Sequence, residues 1–430
     1  MLIQWRALHV SCSIYERRYF CKRPKISYTV NTMEKDADER VYVDAGATTP
    51  VGKRVLAAMG PLWQEAFANA GSIHREGVRA KDILRDARAT CAKILHAHSD
   101  EIIFTSGGTE SNNLAIMGTV LHRVREQNDD YSKIHIVTSA IEHASVLEVC
   151  REIERRGARV SYVPVDEEGQ VLLAEMKKAV TSQTMLVSIM FANNEIGTMQ
   201  PIREIAKIVR NARKQNGNSS YPYFHTDAAQ ALTWSVVSVE KLGVDFVSVD
   251  GHKIYGPKGV GLLYVRRGIH IAPLFYGGAQ EGGMRPGTEP LPLIVGLAKA
   301  LEIAESEREY SYERMSMLRE HFVTRLKSDV PRAEIHGGEN VLRNIVNISV
   351  PGIESDVLVI ALDERGIACS SRSACHSSDD SSYVIAALGK GIEFASSALR
   401  FSFLKTTTRE EIDKVVSALA EVVAENVRKL

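Results

Sequence analysis

The run Phe246-Val247-Ser248-Val249-Asp250-Gly251-His252-Lys253-Ile254-Tyr255-Gly256-Pro257-Lys258-Gly259 decides how the rest of the chain is read. A short apolar stretch, Phe246–Val249, leads into Lys253, and a glycine-rich turn follows. Apolar runs bounded by turn residues read as strands of a buried sheet. A lysine at a strand end, partly shielded from water, can lose its proton and act as a nucleophile toward an aldehyde. A lone lysine is more often a solvated surface charge, so its company matters.

Three upstream motifs keep it company: Thr105-Ser106-Gly107-Gly108-Thr109-Glu110-Ser111-Asn112-Asn113, Ile141-Glu142-His143, and His225-Thr226-Asp227-Ala228-Ala229-Gln230. Each follows a β-like run. Around them the sequence alternates: strands over 101–105, 134–139, 160–164, 185–191, 223–226, 246–249 and 261–265 are separated by helical patterns over 110–125, 143–156, 173–180 and 202–215. An amphipathic helix is expected over 73–97. The alternation argues for an α/β fold with a mostly parallel sheet covered on both faces. In such sheets ligands bind beyond the carboxyl ends of the strands, the edge at which all four motifs fall. A long helical pattern over 293–326 leads to strand and helix signals at 344–350, 357–364, 368–370 and 399–402, a smaller α/β unit. The expected division is an N-terminal extension, 1–40, a large domain, 58–305, and a small domain made of 41–57 with 306–430.

Composition narrows the class. The 430 residues carry 53 basic and 53 acidic side chains. This balance gives no reason to expect a nucleic acid or an anionic membrane as an obligatory partner. No apolar run approaches the roughly 20 residues of a membrane span. Six cysteines without a CxxC pair argue against a disulfide framework, and no metal site is expected. The first residues are basic, with Arg6, Arg17, Arg18, Lys22, Arg23 and Lys25 against Glu16. That pattern fits a mitochondrial transit peptide; a plain extension, with the fold starting near Met33 in the cytoplasm, is the alternative.

Read singly, the motifs stay open. Ser106-Gly107-Gly108-Thr109 is either an ordinary turn or a phosphate cradle at a helix N-terminus. Asp227 is either a cofactor partner or the cap of a short Ala-Ala-Gln-Ala helix. No GxxxxGK[ST] or strand-linked GxGxxG is present, so a nucleotide is not the expected owner of the phosphate. Together the motifs resemble the pyridoxal-phosphate site of the cysteine desulfurases, from about Tyr42 to beyond Arg400. The resemblance implies a transferase of PLP fold type I.

It implies roles residue by residue. Lys253 would bond the cofactor aldehyde, and Gly108, Thr109 and His252 would hold its phosphate, with Thr288 of Arg285-Pro286-Gly287-Thr288-Glu289 supplied across a homodimer. Asp227 would pair with the pyridine nitrogen, Gln230 with the phenolic oxygen, and Asn194 with cofactor or substrate. His143 would stack on the ring and serve in proton transfer. Arg400 would grip the substrate carboxylate, and Cys375, in the Ser-rich run 370–382 expected to be a mobile loop, would take the sulfur as a persulfide. The implied substrate is L-cysteine, with L-selenocysteine, and hence selenocysteine lyase, as the close rival. An aminotransferase and a non-catalytic scaffold are the more distant readings. A sulfur acceptor such as an iron–sulfur scaffold protein is the implied partner. Asp250 stands where relatives often have serine; beside a phosphate it would repel, so it is expected to point away from the site.

Overall fold

The computed structural model describes residues 40–217, 220–371 and 381–427. Cys375 and most of the Ser-rich run 370–382 therefore lie outside the described residues, as does the 1–39 extension.

Among the described residues twelve strands form three sheets: β1 (Val41–Tyr42), β2 (Ile102–Thr105), β3 (His135–Ser139), β4 (Arg159–Val163), β5 (Thr184–Ser188), β6 (Tyr223–Asp227), β7 (Phe246–Asp250), β8 (Gly261–Val265), β9 (Glu334–His336), β10 (Ile345–Ser349), β11 (Ile367–Ala368) and β12 (Ala398–Ser402). The main sheet runs in the order β2-β8-β7-β6-β5-β3-β4. It is parallel except for β8, which is antiparallel to both neighbours. Side chains alternate across it with period two. Val137, Val187, Val247 and Leu262 enter one core, while Ile136, Leu186, Phe246 and Leu263 enter the other. Both faces are apolar, which explains why these strands read as near-continuous hydrophobic runs. Burying each such side chain contributes about 1.5–3 kcal/mol.

A helix spans Leu291–Asp329 and packs against the helices Lys53–Met59 and Arg75–Leu95. Its far half joins a third core with β10, β12 and the helix Arg409–Val427, through Phe322, Ile345, Ile348, Phe401 and Leu419. The small sheet runs β12-β10-β9, all antiparallel, and β1 pairs with β11. Residues from Val41 onward form one compact unit. No helix among the described residues is long and apolar enough to cross a membrane.

Two local expectations are corrected. No helix follows Asp227: residues 229–234 form successive turns, although Asp227 Oδ1 does accept the Ala229 amide at 2.9 Å. The strand expected over 185–191 runs from Thr184 to Ser188, with Ile189 and Phe191 still donating to His225 and Asp227 carbonyls at 3.0 and 2.8 Å.

Candidate active site

At the carboxyl ends of β6 and β7, a cavity of about 170 Å³ is lined by Gly108, Thr109, His143, Asn194, Asp227, Gln230, His252, Lys253 and Arg400, with Asn112, Ser145 and Asp250 among them. Nine residues singled out in the sequence thus meet in one place. Thr288 does not line it; this residue is exposed on the segment between the turn at Gln280–Gly283 and the helix Leu291–Asp329.

Lys253 ends a single helical turn, Gly251–Lys253, that follows β7 directly. Its Nζ donates to the carbonyls of Gly46 at 2.6 Å and Ala47 at 2.8 Å. Gln230 Nε2 donates to the same Gly46 carbonyl at 2.9 Å. Asp227 is the last residue of β6 and is almost fully buried; Asn112 Nδ2 donates to its Oδ2 at 2.7 Å. His143 caps the helix Ala144–Arg155, with Nδ1 2.8 Å from Ser145 Oγ and accepting the Ser145 amide at 3.2 Å.

The turn after β2 is forced close to the start of β8. A Cβ on Gly261 would lie 2.5 Å from the Val249 carbonyl and 2.7 Å from Gly107 Cα. Glycine at 261 therefore lets Gly107, at φ 150, start the helix Gly108–Glu126 against the sheet edge. That helix's first amides have no carbonyl one turn back. Asp250 takes one of them: Gly108 N donates to Asp250 Oδ2 at 2.7 Å, and His252 N donates to Oδ1 at 3.1 Å. The expectation that Asp250 points away is overturned, because a carboxylate is stabilised at a helix N-terminus. Burial raises its pKa, but the bond and charge of His252 and the Gly108 amide outweigh that and lower it below the ordinary carboxylate value.

Arg400 on β12 is fully buried. Its Nη2 pairs with Asp44 Oδ1 at 2.7 Å, Nη1 donates to the Asn194 carbonyl at 3.0 Å, and Nε has no partner among the described residues. Asn194 Oδ1 is likewise buried without one. Described residues flanking 372–380 bond to groups around the cavity. Ser370 exchanges backbone bonds with Arg400 at 3.3 and 2.7 Å. Ser382 Oγ donates to Glu195 Oε2 at 2.7 Å, and Tyr383 Oη donates to the Glu142 carbonyl at 2.6 Å. The described free cysteines are Cys91, Cys150 and Cys369. Burial pushes the Cys91 and Cys369 thiols up to about 12 and raises Cys150 as well, so each is held as an unreactive thiol at neutral pH.

Sequence reading gave no role to Asp44, Gly46, Asn112, Ser145 or Glu195. The stretch Val43-Asp44-Ala45-Gly46-Ala47-Thr48-Thr49-Pro50 carried a signal, since an acid and a glycine interrupt an apolar start. Nothing local could have paired it with residues some 200 or 350 positions away.

The profile of the aminotransferase class-V family matches residues 41–415. A cysteine desulfurase IscS from Dictyoglomus turgidum is 42% identical over 386 residues, 89% of this chain and 94% of that protein. The chain belongs to the cysteine desulfurase branch of the class-V aminotransferases. A probable mitochondrial cysteine desulfurase from Dictyostelium discoideum is 41% identical over 395 residues, covering 91% of this chain and 83% of that protein. A solved structure of a NifS-like protein superposes with a TM-score of 0.82 at 38% identity, covering 90% of this chain and all of the other. Enzymes of this family depend on pyridoxal phosphate.

Proposed function

We propose that this protein converts L-cysteine to L-alanine with pyridoxal phosphate and takes the sulfur as a persulfide on Cys375. The observation that carries this is the convergence of Lys253, Asp227, His143 and Arg400 on one cavity. The residues present fit the cofactor. Asp227 offers a buried carboxylate, Lys253 an amine held by two carbonyls, and Thr109 and His252 a polar end at a helix start. Bound there, pyridoxal phosphate supplies an electron sink for the carbon that loses its proton.

The chain's own groups do the rest. Lys253 is the amine that would hold the cofactor aldehyde and, when freed, would move the α-proton. Arg400 holds the substrate carboxylate. Asp44 and the Asn194 carbonyl fix its guanidinium, so the planar fork is oriented before substrate arrives. Cys375 thiolate attacks the substrate sulfur: an S–S bond forms, the C–S bond breaks, and its electron pair stays with carbon. That β-carbon is protonated, Lys253 returns a proton to the α-carbon, and alanine leaves.

Two lobes, 58–305 and 41–57 with 306–430, give the site its two walls in this reading. Thr288, exposed in its own chain, completes the site of a second copy in a homodimer. We assign the protein to mitochondria, supported by the basic first residues and the mitochondrial relative, with a sulfur-acceptor protein, such as an iron–sulfur scaffold, as its partner.

Alanine release from L-cysteine and from L-selenocysteine by the purified protein tests the assignment. Turnover of L-cysteine that stops in Cys375→Ser supports it. Turnover of selenocysteine alone would assign the site to a lyase. Activity indifferent to Cys375→Ser would point to an aminotransferase.

A further inference from the structure

Behind His143 a chain of hydrogen bonds runs to Asp227. Asn112 lies fully buried in the helix Gly108–Glu126. Its Nδ2 donates to Asp227 Oδ2 at 2.7 Å and to Ser145 Oγ at 2.8 Å. The reverse orientation of this amide would set its oxygen against a carboxylate oxygen, so the nitrogen faces Asp227. Both amide hydrogens are thereby committed. Ser145 Oγ receives one of them and has its own hydrogen to give, and His143 Nδ1 stands 2.8 Å away. The Ser145 amide approaches the same ring nitrogen at 3.2 Å. Two donors converge on Nδ1, so that atom carries a lone pair and not a proton. A neutral imidazole bare at Nδ1 is protonated at Nε2.

We propose that Ser145, held by Asn112, is a positioning residue that fixes His143 as the neutral Nε2–H tautomer, a hydrogen-bond donor and not a base. The consequence deepens the desulfurase reading, on which its catalytic part rests. A ring with Nε2 already protonated and Nδ1 facing two donors has no lone pair to offer the α-proton. Proton removal therefore falls to Lys253, and His143 contributes a fixed N–H and its ring face. A neutral histidine held as a donor is a known electrostatic device in enzymes. Ser145 has no assigned part in the family's chemistry as carried over above; its hydroxyl serves Asn112 as acceptor and faces His143 Nδ1.

Nitrogen NMR of the ¹⁵N-histidine-labelled holoprotein tests this, with His143→Gln identifying the His143 signals. The wild-type ring should show a protonated Nε2 and an unprotonated, hydrogen-bonded Nδ1. In Ser145→Ala the Nδ1 resonance should move and kcat for alanine release should fall about fivefold, the loss of one ordinary hydrogen bond. Ser145→Thr, which restores a hydroxyl, should recover both. A wild-type ring protonated at Nδ1, or an Nδ1 signal unmoved by Ser145→Ala, overturns the proposal. Unchanged melting temperatures for both variants exclude a folding effect. The tautomer is read whether or not the wild type turns over cysteine, so failure of the desulfurase assignment is seen separately.

Discussion

Glu142, one residue before His143, is completely buried, accepting bonds from Ser139 Oγ at 2.6 Å and from the Met190 amide at 3.0 Å. Burial pushes its pKa up to about 8, against the pull of those donors and with Asp227's charge adding to the rise. Between the ordinary 4.5 and about 8 the folded protein holds a proton that the unfolded chain has lost. Stability therefore drops as pH rises through that window. Thermal unfolding between pH 5 and pH 8.5 should show a steeper loss for the wild type than for Glu142→Gln, which does not titrate; parallel curves would contradict the assignment. Asp250 makes a second prediction at this scale. Its carboxylate takes the Gly108 amide at the end that Thr109 and His252 also line. Removing a like charge from beside a phosphate, and freeing an amide for it, should tighten binding of pyridoxal phosphate to the apo-protein on the order of tenfold in Asp250→Ser. Weaker binding in a fluorescence titration would mean that Asp250 organises His252 more than it opposes the phosphate. Most residue types at the site were legible because they sit at or just after a strand end in the sequence; Arg400, inside β12, is the exception. Asp250's direction was not, since repulsion from an expected ligand was weighed and attraction to an unpaired helix amide was not.

At the scale of elements, the sheet and its helices were legible because both faces of the main sheet are apolar. Continuous hydrophobic runs and 3.6-residue periodicity mark the elements of the main sheet, whereas the helix Arg409–Val427 and β9 were not anticipated. The false helix after Asp227 shows the limit. Ala-Ala-Gln-Ala has good helix propensity, yet the chain there turns under Ala228 and Ala231, both fully buried, and packing overrides propensity. The contact between β8 and the turn after β2 is a tertiary fact with a sharp consequence. Gly261→Ala would press a methyl group into the Val249 carbonyl and Gly107 Cα. It should cost about 1–3 kcal/mol of stability, as overpacking does, read as a lowered midpoint in chemical denaturation. It should also weaken cofactor retention, because the displaced element begins the helix at Gly108–Thr109. A stable variant that keeps its cofactor would show that the turn can relax.

For the molecule as a whole, the pairings that build the site span long sequence separations. Asp44 joins Arg400, Gly46 joins Lys253, and Glu195 joins Ser382. No local pattern encodes such pairs, and for that reason the walls of the cavity were invisible where its motifs were not. The role given to Thr288 belongs to this scale also. If two copies share sites, mixing inactive Lys253→Ala and Thr288→Ala chains should restore up to about a quarter of wild-type turnover, by random pairing of complementary halves. Mixed chains that stay inactive after dissociation and reassociation would make each site self-contained.

The account turns on one covalent bond, and borohydride reduction followed by peptide mass mapping reads it directly. Reduced holoprotein should carry a pyridoxyl phosphate group on the peptide containing Lys253, and Lys253→Ala should carry none. A label on another lysine, or no label after incubation with pyridoxal phosphate, would contradict it.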